Sequence, residues 1–294
     1  MKPVEFKKIL IPIDFSTTSM LAFDHAVNMA KTFKAELYLL HVMEHTLLIH
    51  NIFLPETKMV NLGNIAKIAE DKLMELASEV SSDIKVETIV AHGKAANEII
   101  NASKKIGVDL IIMGTHGSSG IEEFFIGSNA QRVVLGASCP VLTIQSDVKS
   151  KGFDNIVFPV DNSSSSRQKL AHTVVLAKHF NSTIHVLGLL TDDDNKEKAK
   201  TFELKINQVN EFLDKNQIKH ESQIINRDDH ANTTMKYAAE KNADLIVIMT
   251  EQEIDSSNLF MGSSAQTIVN HSKVPVLTIS PEGFEVSWTK NNPV

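Results

Sequence analysis

The pentapeptide Pro140-Val-Leu-Thr-Ile144 occurs a second time, unaltered, as Pro275-Val-Leu-Thr-Ile279. It belongs to a wider self-similarity: Asp109-Leu-Ile-Ile-Met113 reappears as Asp244-Leu-Ile-Val-Ile248, and Gly127-Ser128 and Ala130-Gln131 return as Gly262-Ser263 and Ala265-Gln266, all 135 positions apart. Nearer the N-terminus the separation is 147, with Ile9-Leu-Ile-Pro-Ile-Asp-Phe-Ser16 matching Ile156-Val-Phe-Pro-Val-Asp-Asn-Ser163. A duplicated chain of this kind folds as two units built to one plan. The change of offset leaves about twelve extra residues in the first copy, most simply within residues 45–58, which lack a counterpart. The expected domains are residues 1–147 and 153–281, joined near residues 146–152.

At 294 residues each half can bury a core of its own, without disulfides or metal. Net charge is −7 with no basic block, which disfavours a nucleic-acid surface but leaves room for a local phosphate site, because backbone amides bind anions without formal charge. Cys139 is the lone cysteine, no apolar run follows Met1-Lys2-Pro3, and apolar runs such as residues 110–113 are too short to span a bilayer. The expectation is a cytoplasmic protein without membrane attachment.

Short apolar, β-rich runs alternate with stretches of helical period in each half, the pattern of βαβ units around a parallel sheet. Strands are expected near residues 7–13, 36–42, 84–90, 108–113 and 140–144, with helices near 17–33, 60–80, 95–106 and 128–137. Ser16 and Ser163 are read as caps of the first helix of each half, Ser128 and Ser263 as caps of the last. Right-handed crossovers in a doubly wound order place a ligand crevice at the carboxyl ends of strands one and four.

After strand four the chain reads Gly114-Thr-His-Gly117, then nine residues, then Gly127-Ser128 at a helix start. Glycines let amides form a concave anion nest, and the helix start adds free N–H groups and its positive dipole end. This is neither a Walker loop nor a strand-linked Gly-x-Gly-x-x-Gly. The alternative reading is a long surface connection whose glycines serve turns, with Asp14 a turn or capping carboxylate beside Ser16.

Pro12 and Asp14 at the end of strand one, the loop spanning residues 114–128 and Cys139-Pro140-Val141 before strand five resemble the universal stress protein family in its tandem-domain form. The resemblance covers nearly the whole chain. It implies an α/β fold of two tandem five-stranded parallel-sheet domains, Rossmann-like and similar to the adenine nucleotide alpha hydrolases, paired by pseudo-twofold symmetry through strand five. It implies an adenine nucleotide (ATP, with AMP or ADP as alternatives), its ribose and phosphates against Gly114, Gly117, Gly127, Ser128 and Asn129. Asp14 would face the ribose or a Mg²⁺ ion bridging the phosphates, and Pro12, Val42 and Met113 would pack round the adenine, with the Val42 backbone reading its edge.

In the second half Gly114, His116 and Gly117 become Met249, Glu251 and Gln252, so side chains and acidic charge replace the open nest. One nucleotide site per chain is expected, in the first half. Asp161, without an intact nest, reads as structural. Histidines 41, 45, 50, 92 and 116 show no compact zinc spacing, and Cys139 reads as an inert thiol. The loop has no lysine or arginine, so catalysis is not implied; ATP hydrolysis would be slow at most. The competing reading is a nucleotide-free scaffold that binds a protein or small metabolite. Domain pairing within the chain is expected from the identical strand-five segments; a further homodimer is left open.

Overall fold

The computed structural model describes residues 4–44, 62–115, 126–145, 152–191, 196–250, 252–255 and 258–281. The first half runs β1 (Lys8–Pro12), α1 (Thr17–Phe33), β2 (Glu36–Met43), α2 (Leu62–Glu79), β3 (Val86–His92), α3 (Ala95–Ile106), β4 (Leu110–Gly114), α4 (Ser128–Gly136) and β5 (Val141–Ile144). The second repeats it as β6 (Asn155–Val160), α5 (Leu170–Phe180), β7 (Thr183–Leu190), α6 (Lys196–Lys215), β8 (Lys219–Asn226), α7 (His230–Glu240) and β9 (Leu245–Met249). A hairpin of β10 (Gln252–Asp255) and β11 (Asn258–Met261) follows, then α8 (Ser263–His271) and β12 (Val276–Ile279).

Ten strands form one sheet in the order β3-β2-β1-β4-β5-β12-β9-β6-β7-β8. Strands are parallel within each half; the halves meet where β5 and β12 pair antiparallel, with Val141 opposite Thr278, Leu142 opposite Leu277 and Thr143 opposite Val276. Leu142 and Leu277 are equivalent positions of the repeat, so the pseudo-twofold axis passes through that pair. Thr143 and Thr278 reinforce it, their hydroxyls donating to the Val276 carbonyl at 3.2 Å and the Val141 carbonyl at 3.0 Å. Polar side chains can be buried here because each has its acceptor across the seam.

The strands are apolar on both faces because helices cover both. Ile9, Ile11 and Ile13 pack into one layer with Ala22, Phe23 and Ala26 of α1, while Leu10, Ile111 and Met113 pack into the other with Ile99 of α3 and Val133 of α4. The first layer crosses the join: the Phe6 ring lies 6.3 Å from His172, and the equivalent Phe153 ring 6.5 Å from His25. The aspartates that open both Asp-Leu-Ile repeats have a structural use. Asp109 Oδ2 accepts the N–H groups of Lys7 and Lys8 at 2.9 Å, and Asp244 Oδ2 those of Asp154 and Asn155 at 2.9 and 3.0 Å, pinning the start of the neighbouring strand.

The capping expectations are corrected in three of four places. Ser16 does cap α1, accepting from the Ser19 N–H at 3.2 Å. Ser163 does not cap its counterpart, because α5 begins only at Leu170 after a run of bends and turns. Ser128 and Ser263 are the first helical residues, preceded by Gly127 and Gly262, and no side chain caps either helix. Glycine at the cap leaves the first-turn amides of α4 and α8 open to outside partners.

Candidate functional site

β1 and β4 are neighbours whose connections leave to opposite faces, so a crevice opens beyond their carboxyl ends. A cleft of about 730 Å³ lies there, lined by Pro12, Asp14, Val42, Met113, Gly114, Gly127, Ser128 and Asn129. Gly117 and His116 fall outside the described residues, as do residues 45–58 and Glu251. Ser19, Leu40, Ala95, Ile99 and Thr115 also line the cleft and were missed by the sequence reading. Ala95 and Ile99 could have been found, since the repeat pairs them with His230 and Thr234, a polar change on an otherwise apolar helix face.

The rim is made by a tight turn. Asp14 Oδ1 accepts the Ser16 N–H at 3.0 Å, and Phe15 between them has φ of 63°, a left-handed conformation rarely adopted by a bulky residue. The turn leaves Asp14 exposed at the cleft mouth. Phe15 packs 5.1 Å from the His41 ring, whose Nδ1 lies 2.7 Å from the Ile13 carbonyl, so His41 holds strand ends together. Among the described residues no three histidine, cysteine or acidic groups converge as a metal site.

Gly114 is where strand and helix come closest. A Cβ there would lie 2.9 Å from the Thr18 Cβ and 3.0 Å from the Thr18 carbonyl carbon. The Thr115 N–H then donates to the Ile144 carbonyl at 3.0 Å, and the Gly127 N–H returns to the Thr115 carbonyl at 2.7 Å. That bond closes the neck of the connecting loop and sets the start of α4 beside the end of β4. The uncapped amides of Ser128, Asn129 and Ala130 thus face a cleft bearing the positive end of the helix dipole.

The opposite wall offers a backbone edge. Leu40 faces β1, its carbonyl accepting the Ile13 N–H at 2.8 Å, whereas the Met43 carbonyl accepts from Gly93 on the β3 side at 3.1 Å. Strand alternation points the Val42 N–H and carbonyl toward β1, beyond the last residue β1 pairs. An edge with one donor and one acceptor is left at the cleft, flanked by apolar Pro12 and Met113.

The second half has an equivalent but smaller cavity of about 560 Å³. Met249 stands where the first half has Gly114, and the helix of the second half begins only at Leu170, beyond Ser165, the counterpart of Thr18. Gln252 lies in β10 rather than in a glycine nest. Burial alone would raise the Asp161 carboxyl, but the Ser163 hydroxyl and N–H and the charge of Lys169 hold it below the ordinary carboxylate range.

A sequence model described as the universal stress protein family matches residues 5–145 and 152–280. The chain belongs to the universal stress protein family. Curated relatives include a universal stress protein of Bacillus subtilis, 36% identical over 48% of this chain and 99% of its own length. Another, from Methanocaldococcus jannaschii, is 36% identical over 49% of this chain and 85% of its own. These relatives match about half of this chain, consistent with a duplicated unit. A universal stress protein structure from Archaeoglobus fulgidus superposes over 93% of this chain and 98% of its own with a TM-score of 0.75; at 22% identity it shows the shared fold. No described helix is long and apolar enough to cross a membrane.

Proposed function

We propose that the first half binds ATP or a related adenine nucleotide and that the protein is a regulatory, nucleotide-responsive member of its family, acting in the cytoplasm. The observation that carries this reading is the convergence in one cleft of an uncapped helix start, a glycine strand end, a carboxylate and an unpaired backbone edge. Phosphates fit the amides of Ser128, Asn129 and Ala130, with Gly117 completing the loop side; the ribose fits Asp14, and the adenine fits between Pro12, Met113 and Val42. If the nucleotide carries Mg²⁺, Asp14 is the carboxylate in the cleft able to meet it. Among the described residues no lysine or arginine lines the cleft, so transition-state charge on a transferring phosphoryl group is poorly met there and the site favours binding over turnover.

Calorimetry with ATP should find about one site per chain, and Gly127→Val should weaken binding at least about tenfold, or 1.4 kcal/mol. Adenine nucleotide released by acid from the purified protein would support the reading independently. Two equivalent sites, or affinity unchanged by Gly127→Val, would overturn it in favour of a nucleotide-free scaffold.

A further inference from the structure

The repeat converts three residues from apolar to polar between the halves, two of which, Ala95 and Ile99, line the first cleft. Ala22 becomes Lys169, Ala95 becomes His230 and Ile99 becomes Thr234, and all three of the second-half residues line its cavity. Lys169 is 2% exposed; it donates to the Ser166 carbonyl, and its ammonium lies 4.6 Å from the Phe158 ring centroid. A buried ammonium has a high desolvation cost and persists only where charge and acceptors offset it. Here Asp161 supplies the charge. Asp161 Oδ1 accepts the Ser163 N–H at 2.9 Å and hydroxyl at 2.6 Å, and these bonds together with the charge of Lys169 counter its repulsion toward an incoming anion.

What remains open in the cavity is hydrogen-bonding capacity, which His230 supplies as a donor when Nε2 carries the proton. His230 Nε2 is buried with no hydrogen-bond partner, whereas buried polar atoms are ordinarily satisfied. The Ser264 position and the uncapped start of α8 face the same space. Leu189, Ile248 and Met249 form the apolar wall, and Met249 fills the place where the first cleft has only a glycine hydrogen. The space suits a short body with one anionic group and is poorly shaped for a polyphosphate chain.

We infer that the second half's cavity binds a small organic anion, a single carboxylate or phosphate monoester on a short apolar body, held by His230, Ser264 and the start of α8. This goes beyond the nucleotide reading of the first half and does not depend on it. The test is an NMR titration of the full-length ¹⁵N-labelled protein, in separate arms with L-lactate, inorganic phosphate and glycerol 3-phosphate, following the amides of Ser263 to Ala265 and the His230 imidazole.

Saturable shifts of these resonances are expected in at least one arm. Lactate alone assigns a carboxylate site; either phosphate probe alone assigns a phosphate site. His230→Ala, which installs the first half's residue, should weaken the effect at least about tenfold while leaving the thermal midpoint near wild type; His230→Gln should restore part of it. The inference is overturned if no arm saturates by about 10 mM, if His230→Ala binds as well as wild type, or if ATP displaces the probe from these resonances. ATP binding at the first cleft is read from the amides of Ser128 to Ala130, so failure of one site is distinguishable from failure of the other.

Discussion

Gly114 is a glycine because of its neighbour as much as its ligand. A methyl group there would press on the backbone of Thr18 as well as its side chain, so Gly114→Ala should destabilise the protein by roughly 1–3 kcal/mol, the usual cost of overpacking. Urea denaturation checks this; an unchanged midpoint would mean that the helix start yields freely. Asp161 carries a different kind of constraint. Its folded carboxyl is held below the ordinary value of 3.8, so its contribution is complete above that pH and is lost as pH falls through the lower folded value. Asp161→Asn should therefore cost about 3 kcal/mol at neutral pH by stranding Lys169, and should remove part of the loss of stability expected as pH falls below about 4. Cys139 is half-buried and governed by its surroundings: desolvation, then the Asp109 carboxylate, push its thiol up to about 12, so it should be alkylated much more slowly at pH 7.5 in the folded protein than after unfolding. None of these energies could be read from residue type. The glycine, the aspartate and the cysteine were all visible, but the Thr18 contact, the Lys169 partner and the loss of solvation are tertiary facts.

At the level of elements, the two first helices show how a few substitutions propagate. α1 begins at Thr17 under the Ser16 cap, while α5, from a matching sequence, begins at Leu170. Local propensity favours a cap at either serine; what differs is the strand end beneath, a hydrogen at Gly114 and a side chain at Met249, and the turn itself, where Met20, Leu21 and Ala22 become Arg167, Gln168 and Lys169. Ser16→Ala should cost about 1 kcal/mol and lower hydrogen-exchange protection in the first turn of α1, whereas Ser163→Ala should leave the first turn of α5 unchanged. Equal loss of protection in both helices would contradict the account. The strands and helices of the first half were legible within a residue or two because their apolar period matches their burial, whereas the β10–β11 hairpin of the second half was not foreseen. The caps were not, since capping depends on what the preceding residue is free to do.

For the molecule as a whole, the decisive feature is the seam between β5 and β12. In an isolated first half, β5 would present an unpaired edge and an apolar face around Phe6 and Leu142, both buried in the full chain. Residues 1–147 alone should therefore self-associate, two β5 strands replacing the β5–β12 pair. Light scattering coupled to size exclusion checks this, and a stable monomer would show that the seam contributes little. The cores on either side of the sheet also run through both halves, so the full chain should melt in one transition rather than two.

The amino-acid sequence by itself determined the duplication, the element order, the parallel character of each half and the standing together in the chain of the loop glycines and a helix start. These follow from periodicity and from residues whose conformational freedom is intrinsic. Tertiary structure alone decided that Ser19, Leu40 and Thr115 border the cleft, that the Asp-Leu-Ile aspartates are strand clamps, and that Lys169 and His230 enter the equivalent space of the second half. The reason is physical: these properties are set by what lies across the sheet, where residues far apart in the chain share one volume and must satisfy each other's charge, hydrogen bonds and size.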